Sequence, residues 1–208
     1  MRTVAILSQK GGTGKTTLAL HLAVAAERRG HTVAVIDLDP QASSAGWKDS
    51  RAGDSPYVIA LPHSRLPQAL QAAQEGGADL AVIDTAPHSE GASLAAAKAA
   101  DVVLIPCRAG ILDLRAIGTT AELVKLAGKP AYVVLNAMPA RATQVLADAR
   151  EAVAVHGLTV APVAIQQRAA YAHSLTAGQT AQEYEPDGKA AEETAQLYLW
   201  LRSVLPRA

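Results

Sequence analysis

Two lysines, three threonines and three glycines crowd into nine residues near the start of this chain. Residues 9 to 17 read Gln9-Lys10-Gly11-Gly12-Thr13-Gly14-Lys15-Thr16-Thr17, directly after the apolar run Val4-Ala5-Ile6-Leu7. A buried strand there runs into a glycine-rich turn, and the turn opens a helix. Backbone N–H groups in such a turn converge on phosphate oxygens. Gly11, Gly12 and Gly14 let the backbone approach the phosphates and adopt positive φ. Lys15 reaches the β- and γ-phosphates of a nucleotide, and the Thr16 hydroxyl is placed to ligate Mg²⁺. Residues Gly11 to Thr17 are therefore the expected nucleotide cradle, with ATP and Mg²⁺ as its cofactors.

The ordinary phosphate-loop pattern has glycine at the position of Gln9, and this chain carries a second lysine, Lys10, beside it. The form Lys10-Gly11-Gly12-Thr13-Gly14-Lys15-Thr16-Thr17 resembles the deviant Walker A motif of the ParA/MinD family of ATPases. That resemblance implies that Lys10 crosses a dimer interface to the partner's nucleotide. It also implies slow hydrolysis of ATP to ADP and phosphate, faster when a partner binds.

Three further carboxylates fit that chemistry. The second apolar run ends in Asp37-Leu38-Asp39-Pro40-Gln41. First and third residues of an extended segment point the same way, so both carboxylates can face the phosphate loop. The segment resembles the family's Walker A′ motif. Asp39 is expected to position the attacking water, and Asp37 to act near the metal and the lysines. Asp84 follows Leu80-Ala81-Val82-Ile83, where a Walker B acid is expected to hold Mg²⁺ through a water, since hard cations keep part of their hydration. Catalytic roles thus fall to Lys10, Lys15 and Asp39, and metal roles to Thr16, Asp37 and Asp84. Thr85 to Gly91 then reads as a loop sensing the γ-phosphate, with His88 inside it. The resemblance assigns Asn136, at the end of a later strand, to the adenine.

Positioning these groups requires strands that end on one side. Short apolar runs alternate with helical patterns along the whole chain. Strands are expected at residues 4–7, 32–36, 57–61, 80–83, 102–105, 131–135 and 160–165. Helices are expected after the phosphate loop up to Gly30, and over residues 66–75, 111–126, 143–155 and 189–205. The strands lack polar alternation, so both faces of the sheet are covered. Strand–helix alternation predicts an α/β fold, a mostly parallel twisted sheet with helices on both faces, of the P-loop NTPase type. The 208 residues show no repeat or linker and read as one ATPase domain, residues 1–208.

Composition narrows the function. Lys+Arg and Asp+Glu are both 19, so any DNA contact must come from a local patch. Arg141, Arg150, Arg168, Lys189, Arg202 and Arg207 are the candidates, although acids outnumber bases over that stretch. The one cysteine, Cys107, excludes an internal disulfide framework and reads as a small buried hydrophobe. With no signal peptide and no apolar run near the ~18 residues of a membrane span, a cytoplasmic protein without membrane attachment is expected.

The first 110 residues carry the resemblance most specifically. Ile165-Gln166-Gln167-Arg168 and Gly178-Gln179-Thr180 are similar to small plasmid ParA proteins. The resemblance implies a plasmid or chromosome partition ATPase that forms an ATP-state homodimer, binds non-specific DNA on the nucleoid, and answers to a ParB-like or other cargo-bound activator. A related ATPase that positions a non-DNA cargo, such as a protein compartment or receptor cluster, would share every motif. A metabolic P-loop enzyme is the third reading. A reductase of that kind would need more cluster-ligating thiolates than Cys107 supplies.

Overall fold

Seven apolar runs become seven parallel strands. The computed structural model describes residues 1–110, 113, 116–140 and 143–206. The strands are β1 (Arg2–Ile6), β2 (Val33–Asp37), β3 (Tyr57–Ala60), β4 (Leu80–Asp84), β5 (Val102–Arg108), β6 (Ala131–Asn136) and β7 (Thr159–Val160). They form one sheet in the order β3-β2-β4-β1-β5-β6-β7. Every pairing is parallel. The expected α/β architecture, with helices on both faces, is the one observed.

The described helices are α1 (Lys15–Glu27), α2 (Ser43–Asp49), α3 (Leu66–Glu75), α4 (Glu90–Ala99), α5 (Ile117–Ala127), α6 (Thr143–Ala154), α7 (Ala169–Thr176), α8 (Ala181–Tyr184) and α9 (Lys189–Val204). Alternate strand residues sort the core into two layers. Val4, Ile6, Val33, Val35, Leu80, Val82, Val102 and Leu104 face α1 and α9. Ala5, Ile36, Ile83, Val103 and Ile105 face Leu66 of α3, Ala96 of α4, Val124 of α5 and Val153 of α6. Strands covered on both sides have no polar face to show, which is why their sequences do not alternate.

Helix α1 is more deeply enclosed than one apolar stripe suggests. Every residue from Leu18 to Ala26 is buried, because α9 and α8 cover the side turned from the sheet. Small alanines make that sandwich possible. His21 lies inside it: its Nδ1 donates to Thr17 O at 2.7 Å, and its Nε2 accepts the Ala181 N–H at 3.0 Å. Burial lowers the imidazole pKa to about 4, so the ring stays neutral and ties α1 to the start of α8.

Several expectations shift. The last strand is Thr159–Val160 only. Ala161 N donates to Val133 O and Ile165 N to Leu135 O, leaving three intervening residues looped out of register. Pro162 has no N–H to continue the ladder. The expected helix over 111–126 is described from Ile117; Ile111, Leu112, Leu114 and Arg115 lie outside the described residues. Helices α2, α4, α7 and α8 were not expected. Their sequences are short or rich in Ala and Ser, and carry little apolar periodicity. No helix among the described residues is long and apolar enough to cross a membrane.

Candidate functional site

A parallel sheet brings the carboxyl ends of β1, β2, β4, β5 and β6 to one edge, and the expected site residues meet there. The loop from Leu7 to Gly14 leaves β1 and enters α1. Gly14 adopts φ 93° as the residue before α1, a left-handed conformation that disfavours any side chain. It also has no room for one: a β-carbon there would collide with Asn136 Nδ2. That amide donates to Thr13 O at 2.7 Å, and its Oδ1 accepts the Ala137 N–H at 2.9 Å. Asn136 therefore braces the phosphate loop in this structure.

Lys15 is buried at the mouth of α1, and its Nζ donates to Lys10 O at 3.2 Å. Burial lowers its pKa, and the Asp84 and Asp39 carboxylates work against that loss. Lys10 is half-exposed and ion-paired with Asp113 at 3.0 Å. Both lysines of the motif thus meet at one mouth.

The three aspartates play different parts. Register places Asp84 beside Asp37 across β4 and β2, and beside Ile6 across β1. Asp84 is fully buried. Its Oδ2 accepts the Ser44 hydroxyl at 3.1 Å, whereas Oδ1 has no hydrogen-bond partner among the described residues. Burial pushes its pKa up to about 7, opposed by the Thr16 and Ser44 hydroxyls and the Lys15 ammonium. Asp37 accepts the Asp39 N–H on Oδ1 and the Ser44 N–H on Oδ2, each at 2.9 Å. Its carboxylate folds the turn leading to α2. Asp39 is part-exposed, with Oδ1 on the Gln41 N–H at 2.9 Å.

A metal ion fits the remaining donors. The free Asp84 oxygen and the Thr16 hydroxyl are hard oxygen ligands of the kind Mg²⁺ takes. No group of three or more His, Cys, Asp or Glu side chains capable of holding a metal occurs among the described residues. An ion here would need phosphate or water oxygens to complete its shell, as Mg²⁺ does when it arrives with a nucleotide.

Gln9 is the residue that stands where ordinary phosphate loops have glycine. Its Nε2 donates to Ser93 Oγ at 3.1 Å, its N–H donates to Thr120 Oγ1 at 3.2 Å, and its carbonyl accepts the His88 N–H at 3.3 Å. One side chain and its backbone so link the phosphate loop to α4, α5 and the loop after β4. That loop spans Thr85 to Ser89, since α4 already begins at Glu90. His88 is exposed within it at φ 54°.

The C-terminal stretch also serves the site. Trp47 of α2 donates through Nε1 to Gln179 O at 3.1 Å. Arg51 donates to Gly178 O at 3.1 Å and pairs with Glu183 at 2.6 Å. Thr180 and Glu183 form a reciprocal capping box on α8. Gly178-Gln179-Thr180 thereby clamps α2, which holds Ser44 between Asp37 and Asp84. Sequence reading passed over Ser44 and gave Gln9 no role of its own. The proximity of Ser44 to the Asp37-Leu38-Asp39 turn was the one available signal.

The DNA candidates differ in how far they are engaged within the chain. Arg150, Lys189 and Arg202 are exposed. Arg168 is committed to Glu193 through its Nε at 2.9 Å and its Nη2 at 2.6 Å. Arg141 and Arg207 lie outside the described residues.

Comparison with known proteins places this geometry. Residues 4–181 match the family model described as the CobQ/CobB/MinD/ParA nucleotide binding domain. The chain is 31% identical over 209 aligned positions to the maintenance of carboxysome distribution protein A of Gloeobacter kilaueensis, covering 99% of this chain and 94% of that protein. It is 29% identical to the protein of the same name from Halothiobacillus neapolitanus, with 98% and 96% covered. The chromosome-partitioning ATPase Soj of Thermus thermophilus is 29% identical over 65% of this chain and 68% of its own length. In fold, the cell division ATPase MinD of Pyrococcus furiosus superimposes with a TM-score of 0.77 at 22% identity, over 98% of this chain and 99% of that one.

Proposed function

The chain belongs to the CobQ/CobB/MinD/ParA nucleotide-binding family, and from that premise we propose that it is an ATPase whose nucleotide cycle distributes a proteinaceous cargo in the cell. One observation favours this cargo over DNA. Two carboxysome-distribution proteins align over nearly the full length of the chain, whereas the chromosome-partitioning relative aligns over 65% of it. The balanced charge points the same way. Partition of plasmid or chromosomal DNA by a ParB-like activator is the weaker reading, supported by the shared motifs.

In the proposed site, backbone N–H groups of residues 11–17 and the Lys15 ammonium hold the phosphates of ATP. Thr16 and Asp84 hold Mg²⁺, and Asp37 keeps the neighbouring turn in shape. Bound Mg²⁺ would neutralise charge on the phosphate oxygens during transfer. Asp39, with one carboxylate oxygen engaged by Gln41, orients the water that attacks the γ-phosphate. Lys10 exchanges Asp113 for the partner subunit's nucleotide, so that ATP favours a homodimer. The loop carrying His88 reports the state of the phosphate to α4 and α5 through Gln9.

Two measurements on the purified protein test the cycle: gel filtration with light scattering in ATP or ADP, and ATP turnover with and without duplex DNA. An ATP-dependent dimer whose turnover ignores DNA is expected. A dimer that binds and responds to duplex DNA would return the reading to partition. A chain that stays monomeric in ATP would remove the cycle altogether.

A further inference from the structure

Among the described residues, three cations stand at the phosphate loop, and two of them are already engaged. Lys10 is paired with Asp113. Lys15 lies between the Lys10 carbonyl and the fields of Asp84 and Asp39. The third is Arg108, the last residue of β5, which pairs in register with Asn136 of β6. The two strand ends flank the loop. Asn136 presses against Gly14, and the Arg108 guanidinium comes within 3.9 Å of the point that a β-carbon on Gly12 would occupy. Gly12 is exposed and has φ 70°, so its backbone faces open space beside that guanidinium. Arg108 itself is exposed and makes no salt bridge or side-chain hydrogen bond among the described residues.

A planar guanidinium next to a phosphate cradle, with no carboxylate to satisfy it, is matched to phosphate oxygens by charge and by its paired N–H donors. We propose that Arg108 is a nucleotide-contacting residue of this site, binding the phosphate chain of the nucleotide held by the same loop. This rests on the reading of the loop as a nucleotide site. It adds a contact that the loop motif does not contain, delivered from a strand about ninety residues away in sequence. Charge-assisted hydrogen bonds of this kind are each worth roughly ten- to a hundredfold in affinity when desolvated. The exposure of Arg108 places its contribution at the lower end.

The test is equilibrium binding of fluorescent ATP and ADP, each with Mg²⁺, to the wild-type chain and to Arg108→Gln, Arg108→Lys and Lys15→Ala. Arg108→Gln is expected to weaken ATP binding about tenfold, and Arg108→Lys less. The slope of log affinity against log salt should fall in Arg108→Gln, a change that a merely structural residue would not produce. Melting temperatures without nucleotide should match, since Arg108 is not part of the core. A loss for ATP alone assigns the contact to the γ-phosphate, and a loss for both nucleotides assigns it further along the chain. Unchanged affinity and salt slope for both nucleotides in Arg108→Gln would overturn the proposal while the wild type still binds. Absence of binding by the wild type would overturn the nucleotide-site reading itself.

Discussion

The chain reverses at both edges of the sheet, and it does so by different means. At the amino edge, α1, α3, α5 and α6 give way to strands through Gly30, Gly77, Gly128 and Gly157. All four have positive φ and open space where a β-carbon would sit. These are relaxed stops, with glycine where a left-handed residue is needed. At the carboxyl edge, besides Gly12 and Gly14 of the phosphate loop, left-handed conformations also fall on the non-glycine residues Ala42, His88 and Ala137, at φ 50°, 54° and 51°. They follow β2, β4 and β6, the strands that deliver Asp37, Asp84 and Asn136. The same edge buries Lys15, Asp37 and Asp84. Conformational cost of order 1–3 kcal/mol per residue is tolerated there because surrounding contacts hold the loops in place. The amino edge is built from relaxed glycine stops, whereas the carboxyl edge combines strained non-glycine turns with buried charged groups.

Changes at the two edges should differ in size and in sign. The largest effect belongs to Lys15→Ala, which is expected to lower nucleotide affinity at least about a hundredfold without unfolding the chain. Calorimetric titration with ATP checks it, and wild-type affinity would remove the carboxyl edge as the site. Gly14→Ala comes next. It forces a side chain into φ 93° and against Asn136, so a loss of about 2–3 kcal/mol in chemical denaturation is expected. Adding Asn136→Ala should recover part of that loss, because it clears the collision and leaves the backbone cost.

Some of the stability that holds the carboxyl edge comes from buried polar links, and His21 is the clearest. Its pKa is about 4 in the folded chain against about 6.5 when unfolded. Between those values the unfolded state binds the extra proton, so stability falls with falling pH. The full contribution is present above pH ~6.5, and about 3 kcal/mol is lost by pH ~4. Denaturation midpoints across that window measure it, and His21→Gln should flatten the slope. The smallest effects are the most diagnostic. Gly128→Ala should lose about 1 kcal/mol, whereas Ala42→Gly should gain up to about 1 kcal/mol. Thermal melts showing the same sign for both would erase the distinction between the edges.

Much of this molecule was legible along the chain. Strands buried on both faces announce themselves as unbroken apolar runs, so β1, β2, β4, β5 and β6 were found to within a few residues. Lys15, Thr16 and Asp84 could be named because a phosphate loop and a strand-end acid are local patterns. Less was legible where the pattern is weak or the partner is remote. Helix α4 is mostly small residues, and β7 stops at Val160, two residues before Pro162. Ser44 and Gln9 belong to no periodicity; their parts depend on Asp84, Ser93 and Thr120, which are 40 to 111 residues away.

The sequence by itself determined the fold class and the phosphate loop, because binary pattern and turn chemistry act over a few neighbouring residues. Only the tertiary structure decided which groups are already spoken for. Asn136 braces Thr13, Arg168 belongs to Glu193, and Lys10 leans on Asp113. Among the described residues, Asp84 keeps one oxygen free and Arg108 stands beside Gly12 without an acid. Those outcomes follow from strand order and register, which bring distant residues within hydrogen-bond reach and cannot be read from spacing.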